Sequence, residues 1–104
     1  MPNALPLPDD LVDLHRVTAA AELAVSECCA MAQARRRELH PDDVIARASW
    51  DEEETAELGR LRDAYMEAAL AVRAHPLWEQ ARAEGCHAQT WQALIDAVKE
   101  SAAA

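Results

Sequence analysis

Phenylalanine is absent from this chain of 104 residues, glycine occurs twice and tyrosine once. A β-sandwich or β-barrel needs glycines in its turns and aromatic or β-branched residues in its strands, so this composition excludes such folds. No apolar run reaches the roughly 18 residues that indicate a membrane-spanning helix. A chain of this length holds one hydrophobic core, and we therefore predict a single all-α domain over residues 1–104.

Positive charge is scarce as well. Ten Lys and Arg stand against 19 Asp and Glu, which gives a formal net charge of -9. This acidic field repels polyanions and argues against nucleic acid or an anionic membrane as a partner. Nine of the ten basic residues are Arg, and together with 24 alanines this bias is typical of a GC-rich bacterial genome. The first eight residues lack the basic residues and apolar run of a secretory signal, so we expect a cytoplasmic protein.

The chain has three cysteines, of which Cys28 and Cys29 are adjacent in a predicted helix. Neighbouring helical side chains point about 100° apart, which makes a disulfide between them geometrically poor. We expect reduced thiols, with Cys28 or Cys29 acting as a small core residue.

Proline and glycine divide the chain into helical segments. Asp9 and Asp10 suit the start of a first helix, which Pro41 ends. Pro76 can open a later helix, which Gly85 ends. The predicted helices cover about residues 9–39, 50–75, 77–84 and 89–101. The first two are long and similar in length, which favours an antiparallel hairpin followed by two shorter C-terminal helices.

The connection between the long helices carries two further predictions. Val44 and Ile45 are expected to form a short helical turn whose side chains close one end of the bundle. Ser49 and Glu52 fit a capping box, in which each side chain accepts a hydrogen bond from the other residue's backbone N–H.

Dimerisation is predicted from the small residues of the first helix, such as Ala20 and Ala24, which let a second helix approach closely. A two-helix hairpin leaves an apolar face half exposed, so we expect two copies to complete a four-helix bundle. Trp78 and Trp91 are candidate anchors for a protein partner. The predicted contact surface comprises Leu14, Val25, Leu58, Leu61, Tyr65, Val72, Trp78 and Trp91.

An alternative function is binding of a metal or small molecule. The chain has no C-x-x-C, H-x-x-x-H or H-E-x-x-H motif. In a hairpin that turns near residue 45, however, His15 and His75 are equally far from the turn and are expected to meet. Cys86 and His87 follow a short helix later and could fold back toward them. Imidazole and thiolate ligands together suit zinc.

Catalysis has less support. Cys86 and His87 are neighbours only in sequence, and two glycines cannot build a phosphate-binding loop. We therefore predict that the protein is not an enzyme and needs no cofactor.

A third hypothesis is an acidic transcription regulator. Residues 77–96 have the spacing of apolar residues and the turn glycine of a helix-turn-helix, in which Gln89, Thr90 and Gln92 could contact bases. Gln80 and Glu84 fall where that motif needs apolar residues, and nothing nearby would neutralise phosphates.

The length, the acidic alanine-rich composition and a tryptophan near the bend resemble the W-x-G family of secreted helical-hairpin proteins. The bend of this chain, residues 49–52, reads SWDE and lacks the family's glycine. Four residues after Tyr65, where the family's secretion signal has an acidic residue, stands Ala69. The resemblance concerns shape and composition, and no function is carried over from it. The leading hypothesis is a non-enzymatic helical module that dimerises and binds another protein.

Overall fold

The computed structural model describes residues 3–103, with side chains described as far as Ser101. Its helices are α1 (Asp9–Leu39), α2 (Val44–Ala48), α3 (Glu52–Arg73), α4 (Leu77–Ala83) and α5 (His87–Ala103). Residues 3–103 contain no strand, so the all-α prediction is confirmed. The four predicted helices are present, and each of their ends lies within two residues of its predicted position.

The described residues form two compact units. Unit 1 consists of residues 3–19 and 67–103, and unit 2 consists of residues 20–66. Helices α1 and α3 each contribute one part to unit 1 and one part to unit 2. The two units differ in what holds them together, as their buried residues show.

Unit 1 is built around the indole of Trp78, which is 2 % exposed. Its Nε1–H donates a hydrogen bond of 2.7 Å to the carbonyl oxygen of Val72, in the last turn of α3. The one polar atom of this large side chain is therefore satisfied inside apolar surroundings. The remaining buried residues of this core are Leu11, Val72, Ala81, Cys86 and Leu94.

A glycine fixes the turn between α4 and α5. Gly85 has a φ of +72°, in the left-handed region that favours glycine. The N–H of Cys86 donates to the Ala81 carbonyl at 2.9 Å, and the N–H of Gly85 donates to the Arg82 carbonyl at 3.2 Å. These two bonds are those of a Schellman motif, which ends α4 and turns the chain so that Cys86 enters the core.

Thr90 fastens the N-terminal segment to α5. Its side chain is fully buried, and its Oγ1 accepts a hydrogen bond of 3.1 Å from the backbone N–H of Leu5. The same hydroxyl lies 3.7 Å from the Sγ of Cys86, to which it donates a weak hydrogen bond. The segment before α1 is thereby held against α5 within unit 1.

Unit 2 has an ion pair at its centre in place of a large apolar core. Within residues 20–66, all of which the structure describes, the buried apolar residues are Ala32 and Leu58. The Nη1 of Arg36 lies 3.3 Å from the Oε1 of Glu54, and their side chains are 8 % and 7 % exposed. The Arg36 guanidinium also lies 4.4 Å from the centre of the Trp50 ring, within cation–π range. This cluster joins the end of α1 to the start of α3.

The capping box lies two residues after the predicted one. The N–H of Glu54 donates to Oδ1 of Asp51 at 2.7 Å, and the N–H of Asp51 donates to Oε1 of Glu54 at 3.4 Å. Ser49 instead donates its hydroxyl to the carbonyl of Ile45 at the end of α2. The prediction of Ser49 and Glu52 was wrong because α3 begins at Glu52, which makes Asp51 its N-cap.

Helix α2 is present, but its predicted role was wrong. Val44 is 69 % exposed and Ile45 is 81 % exposed, so neither side chain closes the end of a bundle. The N-cap of α2 is Asp43, whose carboxylate accepts a hydrogen bond of 3.0 Å from the N–H of Ala46. Capping rather than burial therefore defines this short helix.

Leu94→Ala is expected to lower the free energy of unfolding by about 2 to 5 kcal/mol, because it leaves a cavity in the core of unit 1. Urea denaturation followed by circular dichroism measures the loss. Leu70→Ala makes the same chemical change on an exposed side chain of α3 and should cost about 0.5 kcal/mol or less. Equal losses in the two variants would contradict the assignment of the core.

Glu54→Ala is expected to cost about 3 to 5 kcal/mol, because it leaves the buried Arg36 without its carboxylate. The control, Glu57→Ala, removes an exposed ion pair with Arg60 and should cost about 1 kcal/mol or less. In the double variant Arg36→Met with Glu54→Leu, much of the lost stability should return. If the double variant is less stable than Glu54→Ala, the ion pair is not the centre of unit 2.

Candidate functional site

The residues of the predicted metal site have other contacts. The Nε2 of His75 lies 3.0 Å from Oδ2 of Asp10, and its Nδ1 accepts a hydrogen bond of 3.1 Å from the N–H of Leu77. His75 thus bridges the starts of α1 and α4. The ring of His15 packs edge-on against Trp91, with ring centres 5.8 Å apart.

The other two predicted ligands, Cys86 and His87, are also packed against neighbouring side chains. His87 lies against Trp78 with ring centres 5.2 Å apart, and Cys86 is buried beside Thr90. Across residues 3–103, no three His, Cys, Asp or Glu side chains come together as metal ligands. The structure therefore does not assemble His15, His75, Cys86 and His87 into one site.

The predicted contact surface serves mainly to pack the chain against itself. Val72 and Trp78 lie in the core of unit 1, where Leu14 and Trp91 pack against it. In unit 2, Leu58 is buried, and Val25, Leu61 and Tyr65 are half-buried. An apolar stripe at helical spacing marks the buried face of a helix, and here the same chain covers much of that face. Val72 and Trp78 in particular present no surface to a partner.

The exposed large apolar side chains are a different set. They are Val17, Leu23, Met31, Leu39, Val44, Ile45, Met66 and Leu70. All of these except Val17 and Leu70 belong to unit 2. The sequence contains a signal for Met31 alone, since it recurs with the half-buried Ala24 and Cys28 at spacings of four and three, and these three residues define a second stripe on α1.

A groove of about 460 Å³ runs between α1 and α3 in unit 2, and we call it the mixed groove. Cys28 and Ala32 of α1 line it opposite Glu57 and Arg60 of α3. Arg36 and Glu54 meet further toward the bend, so these parts of α1 and α3 run antiparallel. The groove contains charges of both signs, with Arg35 and Arg60 beside four carboxylates. Its lining residues are Cys28, Ala32, Arg35, Asp51, Glu53, Glu54, Ala56, Glu57 and Arg60.

A groove of about 670 Å³ lies in unit 1, and we call it the aromatic–arginine groove. It is lined by Arg73, Trp78, Arg82, His87, Ala88, Trp91 and Gln92. Sequence reasoning treated Trp78 and Trp91 as anchors for a protein partner. It missed this groove because Arg73 at the end of α3, Arg82 on α4 and Trp91 on α5 share no motif and are brought together by the packing of three helices.

A smaller groove of about 380 Å³ lies at the bend of unit 2, and we call it the bend groove. It is lined by Gln33, Arg36, Arg37, Val44, Arg47, Ala48 and Trp50. Its aromatic ring already has a partner, because the guanidinium of Arg36 lies over Trp50.

The helix-turn-helix alternative loses one of its candidate base-contacting residues. Helices α4 and α5 with the turn at Gly85 do follow one another as that motif requires. Thr90, however, is fully buried and bonded to Leu5 and Cys86, so it cannot reach a base. Gln92 is exposed and Gln89 is half-buried.

Within residues 3–103, no helix is both long and apolar enough to cross a membrane. Comparison of the chain with protein-family models, with curated proteins and with solved structures finds no match.

Proposed function

We propose that this chain is a non-enzymatic, cytoplasmic helical module that associates with a second copy of itself through unit 2. The observation that carries the proposal is the inverted distribution of apolar bulk in residues 20–66. The buried apolar side chains there are those of Ala32 and Leu58, whereas six large apolar side chains are exposed, namely those of Leu23, Met31, Leu39, Val44, Ile45 and Met66. Burial of apolar surface is the main driving force of both folding and association, so this unit gains stability from a partner.

The second stripe of α1 supplies a suitable contact face. Met31 is 64 % exposed, and Ala24 and Cys28 on the same side of the helix are small. Small side chains allow two helices to pack toward the short end of the usual separation of about 8 to 10 Å. Met31 would then bury a large flexible side chain against the partner copy.

The charges of the mixed groove favour a second copy over an unrelated partner. Arg35 and Arg60 line the groove together with Glu53 and Glu57. A two-fold axis brings the same patch of each copy against the other, so a patch with both signs can place arginine opposite glutamate. This local complementarity opposes the general repulsion between two chains of net charge -9.

The free thiols agree with a reducing compartment. The structure forms no disulfide among Cys28, Cys29 and Cys86. Structural disulfides are rare in the cytosol, where thiols are kept reduced.

Met31→Glu is expected to convert a dimer into a monomer, because it places one carboxylate from each copy in the apolar contact, where the two like charges repel each other and lose their hydration. Light scattering coupled to size-exclusion chromatography measures the mass in solution. Since Met31 is exposed in the single chain, the substitution should leave the helical content and the melting temperature of the monomer unchanged.

The matched control is Ile45→Glu, which adds the same charge at the most exposed large apolar residue of the described chain. It lies on α2, outside the proposed face, and should leave the dimer intact. A monomeric wild-type protein, or a Met31→Glu variant that remains dimeric, would overturn the proposal.

A further inference from the structure

The aromatic–arginine groove is formed where three helices of unit 1 converge. Arg73 comes from the end of α3, and Trp78 and Arg82 lie one turn apart on α4. The opposite wall belongs to the first turns of α5, where Trp91 is half-buried and Gln92 is exposed. Trp78 forms the floor, since it is almost completely buried. Exposed polar side chains therefore surround an aromatic floor.

The charged side chains in this groove are all basic. Arg73 and Arg82 line it, and no Asp or Glu does. Both arginines are exposed, and neither takes part in an ion pair within the described residues. In a chain with 19 acidic and 10 basic residues, this is a local concentration of uncompensated positive charge. A guanidinium presents its N–H groups in a planar fork that matches a carboxylate.

The aromatic rings hold one another in place. The ring centres of Trp78 and Trp91 are 5.2 Å apart with planes at 52°, and those of Trp78 and His87 are 5.2 Å apart with planes at 49°. Such tilted contacts are favourable between aromatic rings. The volume of about 670 Å³ lies within the range of about 300 to 1,000 Å³ typical of small-molecule sites. The wall is thus formed before any ligand arrives.

The bend groove in unit 2 also combines arginines with a tryptophan, but its chemistry differs. The guanidinium of Arg36 covers Trp50 at 4.4 Å, and the carboxylate of Glu54 compensates the charge of Arg36. An aromatic anion would have to displace one of these contacts. In the aromatic–arginine groove, by contrast, neither arginine has a carboxylate partner.

We propose that the aromatic–arginine groove binds a small anion with a planar aromatic body, such as an aromatic carboxylate. The carboxylate is held by Arg73 and Arg82, and the ring lies against Trp91. The Nε2 of Gln92 at the rim donates a hydrogen bond of 3.0 Å to Oδ1 of Asp96, so the amide offers a ligand its second N–H or its carbonyl oxygen. This proposal involves unit 1 alone and does not depend on self-association.

The test uses benzoate and benzamide, which have the same shape and differ in charge. The three tryptophans give three indole N–H signals in a ¹H–¹⁵N spectrum of the full chain, and Trp50 in unit 2 serves as an internal reference. Benzoate is expected to shift the signals of Trp91 and Trp78 in a saturable way and to leave that of Trp50 in place. The affinity for benzamide should be lower than that for benzoate by a factor of about five or more, because benzamide carries no charge and cannot form charge-assisted hydrogen bonds with the two arginines.

Arg73→Gln and Arg82→Gln remove one charge each from exposed positions and should each weaken benzoate binding about fivefold. The matched control is Arg62→Gln, an exposed arginine of α3 that lines none of the three grooves and has no ion pair within the described residues. It should bind benzoate like the wild type. The proposal is overturned if benzoate shifts no indole signal, shifts Trp50 equally, binds no better than benzamide, or binds equally well to the three variants.

Discussion

The burial of Trp78 is the constraint on which unit 1 depends. A chain without phenylalanine has few ways to fill a core, and a single indole supplies much of the volume here. Its hydrogen bond to the Val72 carbonyl links α4 to the last turn of α3, while its ring contacts Trp91 and His87 of α5. The groove between these helices is a direct result, because the ring that fills the core also forms the groove's floor.

Unit 2 buries few apolar side chains and has a buried ion pair at its centre instead. Its most buried contact joins Arg36 and Glu54, supported by the Trp50 ring. An ion pair of this kind gains little net stability, because removing both charges from water nearly cancels their attraction. It does fix which residues of α1 and α3 lie opposite each other, because a shift along the helix would leave two buried charges without partners. The ion pair therefore defines the register of α1 against α3 but adds little to the stability of unit 2. The low stability expected for this unit agrees with the exposed apolar side chains along its helices.

The helices were predictable from the sequence because their boundaries depend on local chemistry. Proline, glycine and acidic first turns act within a few residues, and they predict the ends of α1 and α4 to within one residue. The start of α3 was harder, since Ser49 and Asp51 are both good N-caps and only the folded chain selects Asp51. The aromatic–arginine groove could not be predicted, because it joins residues of three helices whose packing is decided by tertiary contacts. His75 shows the same limit: helical spacing placed it level with His15, whereas its ring turns toward Asp10 and the start of α4.

Unit 1 is assembled from two separate stretches of chain, whereas unit 2 is continuous. The bonds from Leu5 to Thr90 and from Arg16 to Ser101 each join residues 85 positions apart. Contacts at such separations form late, because closing a long loop costs conformational entropy. During synthesis on the ribosome, residues 20–66 are complete before Thr90 has been added. The unit with the smaller apolar core is thus the first able to become compact, and its exposed side chains are available to another nascent chain before unit 1 has closed.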